Sequence, residues 1–256
     1  MASKKLPAIP CGGCGVELAG RRVTALDSAA NILFRMDAVE ADALAVDPIT
    51  GNVWCAGGSS LDQSELKVFD TAGSRVATHS ISGFDIVYSP HDEAFWVAGR
   101  DVTKCDREGT IRARLAGTGW ATVSVSADFR DGGAWVVERK HPQVKNSVNR
   151  LLRLDAQGEL VREIDLGTRT PFCVASDPRS GAAWMVEHGT ALIRVPVEGP
   201  PLDPIPIPAI AISIGVRTGS IWVSTRDAVM KLDQDGRVTA SAAFTTPSSQ
   251  SWLAVP

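Results

Sequence analysis

A short tract that keeps returning constrains this chain more than any other feature. Residues 44–48 read LAVDP, 86–90 read IVYSP and 174–178 read VASDP. The final stretch, 252–256, reads WLAVP, the opening of the same tract with nothing after it. Tryptophans Trp54, Trp96, Trp135, Trp184 and Trp222 each stand seven residues after Asp47, Ser89, Asp128, Asp177 and Gly215. Constant spacing across a β-prone run and a tight turn is what a repeated hairpin requires.

A second marker closes the third strand of each repeat. Asp70 to Gly73, Asp106 to Gly109, Asp155 to Gly158 and Asp233 to Gly236 all read Asp-x-x-Gly. Asp favours the first position of a type I turn, where its carboxylate accepts from backbone N–H groups, and Gly favours the exit. Turn formation accounts for these aspartates more simply than metal binding does. Residues 27–30 are a degenerate copy, and the fifth copy, Pro196 to Gly199, has lost its Asp.

The unit is therefore four short strands with a period of about 40 residues, the range of propeller blades. First strands are expected near Ala43, Asp85, Thr122, Cys173, Ala211 and Trp252, and no segment shows sustained helical periodicity. Residues from about Gly15 to Val39 read as a unit lacking its first strand, with Leu18 in the tryptophan's place. The tail at 252–256 supplies what is missing. The expected fold is thus all-β, a six-bladed β-propeller of four-stranded blades. Its ring closes when the C-terminal strand joins the N-terminal strands, which hides the edges of an open array. Residues 1–14 are expected to form a flexible segment with the CxxC ahead of a single domain, 15–256. The tryptophans are expected to fill the space between neighbouring sheets.

Composition sets the remaining bounds. Hydrophobic content of 44% and charged content of 21% are globular values, and the net charge of −3 disfavours a nucleic-acid partner. The longest apolar run, 205–216, is too short to span a bilayer and contains Pro206 and Pro208. No apolar core follows the opening MASKK, so a cytoplasmic protein is expected from the sequence as written. A periplasmic or extracellular one follows if a leader had preceded it. A monomer is expected.

The tracts GAAWMVE ending at Glu187, GGAWVVE ending at Glu138 and RLDAQG at 153–158 resemble repeats of NHL-type six-bladed β-propellers. They are also similar to repeats of the virginiamycin B lyase group. The resemblance runs from about residue 15 to the end and implies a propeller that hosts binders, scaffolds and enzymes alike.

Candidate site residues follow from position in the repeat. Four residues after each tryptophan stand Gly58, Arg100, Arg139, His188 and Arg226, with Arg22 at the matching place in the degenerate copy. A basic residue thus recurs near one face, and Trp120, Phe172, Phe84 and Trp252 can add aromatic surface. Arg100, Arg139, His188, Arg226, Trp120 and Phe172 together suit a protein, a glycan or a small anionic ligand. The leading expectation is a non-catalytic binding module without cofactor.

The alternative comes from the resemblance. Virginiamycin B lyase-like proteins use a divalent metal with a histidine and a glutamate, which implies Glu187 and His188 here with calcium or magnesium. That group's Trp-Phe-Thr-Glu core and seventh blade are absent. Six-bladed lactone hydrolases use inward carboxylates and asparagines, yet Asn31, Asn52, Asn146 and Asn149 all fall outside first strands. Asp85 is the ionisable residue placed well inside a first strand. His79, His91 and His141 read as surface residues, and Glu138 is expected to pair with Arg139 of a neighbouring blade. Cys55, Cys105 and Cys173 read as buried free thiols. Cys11 and Cys14 form a CxxC that suits a metal knuckle or a local disulfide, without the second ligand pair of a structural zinc site. The inserted loops 140–149 and 59–65 are where a partner-specific feature is expected.

Overall fold

The structure is a computed structural model that describes residues 15–19, 22–26, 32–37, 41–58, 64–116, 120–140, 149–187, 189–216 and 218–243. For 15–37, 120, 121 and 140 the description covers the backbone alone. Every regular element among them is a strand, and each sheet is an antiparallel meander. β1 to β3 (Gly15–Ala19, Arg22–Leu26, Ile32–Asp37) form a three-stranded sheet. β4 to β7 (Ala43–Val46, Val53–Gly57, Glu65–Phe69, Arg75–His79) form a four-stranded one. So do β8 to β11 (Asp85–Ser89, Ala94–Ala98, Val102–Cys105, Ile111–Leu115) and β12 to β15 (Trp120–Ala127, Ala134–Lys140, Asn149–Leu154, Leu160–Gly167). β16 to β18 (Pro171–Ser176, Ala183–Glu187, Ala191–Val195) make a three-stranded sheet, and β19 to β22 (Ala211–Ile214, Ile221–Ser224, Ala228–Leu232, Val238–Ala243) a four-stranded one. Among the described residues no helix is long and apolar enough to cross a membrane.

First strands of successive sheets lie side by side, β4 on β8, β8 on β12, β12 on β16 and β16 on β19. Burial follows from that order. The second strands β5 and β9 are buried at every position, because a neighbouring sheet covers each face. The outermost strand β22 is exposed at all six.

The tryptophans fill the inter-sheet space. Trp54 packs with Ile86 and Phe95, and Trp96 with Val125 and Val136. Trp135 packs with Val174 and Met185, and Trp184 with Ile214 and Ile221. Two of them also staple sheet to sheet: Trp96 Nε1 donates to Gly132 O at 3.1 Å and Trp135 Nε1 to Gly181 O at 2.9 Å.

Directly opposite four tryptophans, on the third strand, stands a cation. Lys104, Arg153, Arg194 and Lys231 lie 4.9, 5.6, 5.8 and 5.7 Å from the ring centroids of Trp96, Trp135, Trp184 and Trp222. This face-on geometry is the favourable one for a cation on an indole. Opposite Trp54 the residue is Val68, and His79 stacks on that ring instead, at 5.3 Å and 12°. His79 is therefore not the surface residue its fourth-strand position predicts. The stagger between strands brings it over the indole.

Both turn markers behave as turn chemistry demands. In the Asp-x-x-Gly turns Oδ1 of Asp70, Asp106, Asp155 and Asp233 each accepts from the backbone N–H two and four residues on. The fifth copy departs from the expected four-stranded unit. Its outer edge is covered by the proline-rich stretch 200–208, which meets β18 at an isolated bridge, Leu192 to Ile205, and through Leu202 N donating to Arg194 O at 2.9 Å. Prolines cannot donate to a ladder, so a full strand cannot form there. At this turn Arg162 donates to Pro196 O and Val197 O, both at 2.7 Å, and to Gly199 O, so carbonyls rather than N–H groups are satisfied there.

Candidate functional site

The ends of second strands meet the starts of first strands at one end of the sheets. Asp85 lies opposite Ala98, Thr122 opposite Glu138, Pro171 opposite Glu187 and Ala211 opposite Ser224. This end carries the recurring basic position. Arg100 and Arg226 sit on the hairpins that follow β9 and β20 and are exposed. Arg139 lies within β13, across from Ala121, and is half-buried. Burial alone acts on its guanidinium and pulls its pKa below the ordinary arginine value. Phe172 is half-buried at the start of β16, where the register shifts between Pro171 and Cys173. Trp120 opens β12 opposite Lys140, but its side chain lies outside the described residues. So do the side chain of Arg22 and all of His188, Cys11, Cys14, His141 and Trp252.

Three carboxylates on the first and second strands at this end are each held differently. Glu138 is 2% exposed and pairs with Arg150, not with Arg139; Arg150 Nε donates to its Oε2 at 2.6 Å. Arg150 lies directly across the ladder from Glu138, so both point to one face of the sheet while Arg139 points to the other. Burial raises the Glu138 pKa, with Arg150 opposing. Glu187 is looser: the Thr170 N–H reaches it at 3.4 Å and Arg169 at 3.9 Å.

Asp85 belongs to a system that runs from sheet to sheet. Its Oδ2 accepts from Val125 N at 2.9 Å, and its Oδ1 from its own neighbour Ile86 N at 2.9 Å. At the equivalent place in the next sheet Ser124 Oγ accepts from Val174 N at 3.3 Å, and in the one after Cys173 is hydrogen-bonded with the backbone of Ile212. A side chain near the start of β8, β12 and β16 thus serves the amide of the following first strand. Ala43 holds that place ahead of β8 and has no acceptor, which is why Asp85 serves Ile86 itself. Burial pushes the Asp85 pKa up to about 6 against these donors. The spacing of Asp85, Ser124 and Cys173 was readable in the sequence as a common position four residues before the marker. What it does there needed the stagger between sheets.

A second basic series escaped the sequence reading. Two residues after the marker at Ser89, Asp128 and Asp177 come His91, Arg130 and Arg179, at the opposite end of the sheets. All are exposed, and each lies over the turn glycine of the following sheet: Gly132, Gly181 and Gly219. These glycines have φ of 76°, 70° and 62°, and a Cβ on any of them would strike the side chain above. Asp92, Glu93 and Asp131 belong to the same turns, so the charge at this end is mixed.

Beside Arg100 runs an open groove of roughly 220 Å³ between the β7–β8 connection and β9 to β11. Ser80, Ser82, Arg100, Asp101, Thr103 and Arg114 contribute polar groups to it. Arg114 Nε donates to Asp101 Oδ2 at 2.5 Å across its floor.

No family model and no curated protein matches the chain. Solved structures do. Hydrazine synthase from Kuenenia stuttgartiensis aligns with a TM-score of 0.69 at 14% identity, over 84% of this chain and 71% of that one. The Dos1 propeller aligns with a TM-score of 0.63 at 11% identity, over 89% of this chain and 66% of that one. At such identity the likeness reports the fold. Together with the antiparallel meanders set first strand against first strand, it makes this chain a β-propeller.

Proposed function

We propose that the chain is a six-bladed propeller of the NHL kind, closed by residues 252–256 against β1 to β3. In this reading it serves as a binding module and offers a basic and aromatic face to a protein, glycan or small anionic ligand. The observation that carries the reading is the contrast between cations and carboxylates at that face. Arg139 and Arg226 have no carboxylate partner among the described residues, whereas Glu138 is committed to Arg150 and Asp85 to two amides. A carboxylate fixed by such partners is poorly placed to move protons, while an arginine without one can take a ligand's oxygen atoms in its planar fork.

Affinity capture with immobilised protein tests this directly. Replacing Arg100, Arg139 and Arg226 together by alanine should abolish recovery of the wild-type partner while the melting midpoint changes little. Unaltered recovery would refute the binding face.

One observation favours a second reading, a divalent-metal-dependent lyase or lactone hydrolase at the channel mouth. Glu187 is the least committed of the three carboxylates and adjoins His188 in sequence. Melts with chelator, then with calcium or magnesium, separate the two readings, because a metal bound to the folded form raises the midpoint by mass action.

A further inference from the structure

Each sheet ends in an outer strand whose far side presents unpaired N–H and C=O groups, a template for one more strand. Charges and prolines on such a strand discourage pairing, and this chain places them on its outer edges with one exception. β3 carries Arg35 and Asp37, β7 carries Arg75, β11 carries Arg112 and Arg114, and β15 carries Arg162, Glu163 and Asp165. The fifth sheet uses prolines instead. Pro204, Pro206 and Pro208 are exposed and have no N–H to offer, while Ile205 and Ile207 between them turn to the core.

β22 is the exception. It reads VTASAA, with neither a charge nor a proline, and it stands at the edge of its sheet beyond β21. Ala113 on β11 and Ile164 and Leu166 on β15 are buried, but all six residues of β22 are exposed, Val238 at 50%. An edge left open where its counterparts are blunted is suited to being covered.

We propose that β22 pairs with β22 of a second copy of this chain, antiparallel about a two-fold axis, in a weak dimer rather than the monomer expected from the sequence. Symmetry selects this strand. Antiparallel self-pairing sets residues at equal distances from the axis opposite one another. On β11, centred at Ala113, Arg112 would face Arg114 of the second copy. On β15, centred at Ile164, Glu163 would face Asp165. Like charges directly opposite are destabilising. On β22, centred at Ala240 or at Ser241, the residues of the strand that meet are Val, Thr, Ala and Ser. A foreign strand would need side-chain pockets along the edge for its specificity, and the short side chains of β22 form none. A pair of six-residue strands buries less than the roughly 1,200 Å² of a standard interface, so association at about 10–100 µM is expected. The proposal is independent of the binding face, which lies at the strand ends and not on the outer edge.

Sedimentation equilibrium of the whole protein from about 5 to 500 µM tests it. The mass should rise from that of one chain, 27.1 kDa, toward twice that value and stop there, because pairing consumes the edge. Ala240→Lys together with Ser241→Lys puts like charges opposite at either centre. That variant should stay at the mass of one chain throughout, with a dilute-solution melting midpoint within about 2 °C of wild type, as for exposed substitutions generally. Ala240→Glu together with Ser241→Glu should do the same alone, and an equimolar mixture of the two variants should recover the dimer. A wild-type mass that stays at one chain, or passes two, would overturn the proposal. So would a lysine variant that still dimerises, or a mixture of the folded variants that does not.

Discussion

The Asp85 carboxylate accepts from the Val125 amide across a blade boundary at 2.9 Å, and with its other oxygen from its own neighbour Ile86. It therefore closes the exposed inner edges of two consecutive blades. Burial nevertheless dominates its ionisation and raises its pKa from 3.8 to about 6. The sign follows from linkage. A carboxyl whose folded pKa exceeds its unfolded value binds protons more readily when folded. Its stabilising contribution is full below about pH 4 and is lost as pH rises through about 6. Asp85→Asn should remove this slope, so the difference between wild-type and variant midpoints should change between pH 4.5 and 7.5. Parallel midpoint curves across that range would refute it.

The first turn of the third repeat contains a testable departure. Glu93 has φ of 55°, at the place where Gly51, Gly132, Gly181 and Gly219 have φ between 62° and 76°. A side chain in the left-handed region costs roughly 1–2 kcal/mol. Against this stands the Glu93 to Arg107 ion pair at 2.9 Å, with Glu93 56% exposed, and such exposed pairs contribute about 0–1 kcal/mol. Backbone relief should win. Glu93→Gly is expected to gain about 0.5 kcal/mol, a rise of roughly 1–2 °C in a thermal melt.

The extent to which the sequence foretold this architecture depends on how local the chemistry is. Asp70, Asp106, Asp155 and Asp233 were legible because an Asp-x-x-Gly turn closes within five residues and needs nothing from elsewhere. Trp54 to Trp222 were legible because their spacing reports a hairpin and their bulk requires burial. His79 over Trp54, Arg150 on Glu138 and Asp85 on Val125 were not. Each depends on how strands or sheets are staggered against one another, which spacing within one repeat does not encode. The same holds for Arg139: its position in the repeat was clear, but not that it would be half-buried while Arg100 and Arg226 stay exposed. The interruption of the fifth unit at 200–208 and the Arg162 bonds to its turn carbonyls did not follow from the repeat either.

Trp184 breaks the staple made by Trp96 and Trp135. Its Nε1 is buried without a partner among the described residues, and the equivalent carbonyl, Gly219 O, accepts instead from Gln234 Nε2 at 2.9 Å. Leaving a buried donor unpaired costs about 1–3 kcal/mol. Gln234→Ala should free that carbonyl for the indole and leave stability level or raised by up to about 1 kcal/mol. Trp135→Phe, which breaks a made bond, should cost about 1 kcal/mol more than Trp184→Phe in denaturant titrations. Equal costs would place a hidden partner on Trp184.

Three thiols should be inert in the folded protein. Cys55, Cys105 and Cys173 are free, and burial pushes each pKa up to about 12. At pH 8 only about one molecule in ten thousand carries the thiolate, the reactive form. In a Cys11→Ser, Cys14→Ser background, Ellman's reagent should find almost no reactive thiol until denaturant is added, and then three. Rapid native reaction at Cys173 would show that the inner strands open readily.

The closure model makes the sharpest demand on stability. β1 to β3 form a three-stranded sheet where β4 to β7 form a four-stranded one, and in the proposed closure the further strand would be the first of that blade. Residues 252–256 repeat the sequence of that strand. If they complete the sheet, their removal leaves one blade without its innermost strand and exposes two edges of the kind that the β8–β12, β12–β16 and β16–β19 junctions cover with amide-to-side-chain bonds such as Val125 to Asp85. Ordinary terminal residues are worth little, because few contacts hold them. Deleting 252–256 should therefore lower the midpoint by ten degrees or so or abolish the cooperative transition, roughly the effect of losing 3 kcal/mol or more from a domain of this size. A matched deletion of residues 1–5 should change it by no more than about 1 °C. A cooperative melt at the wild-type midpoint after the C-terminal deletion would mean that the ring closes by some other contact.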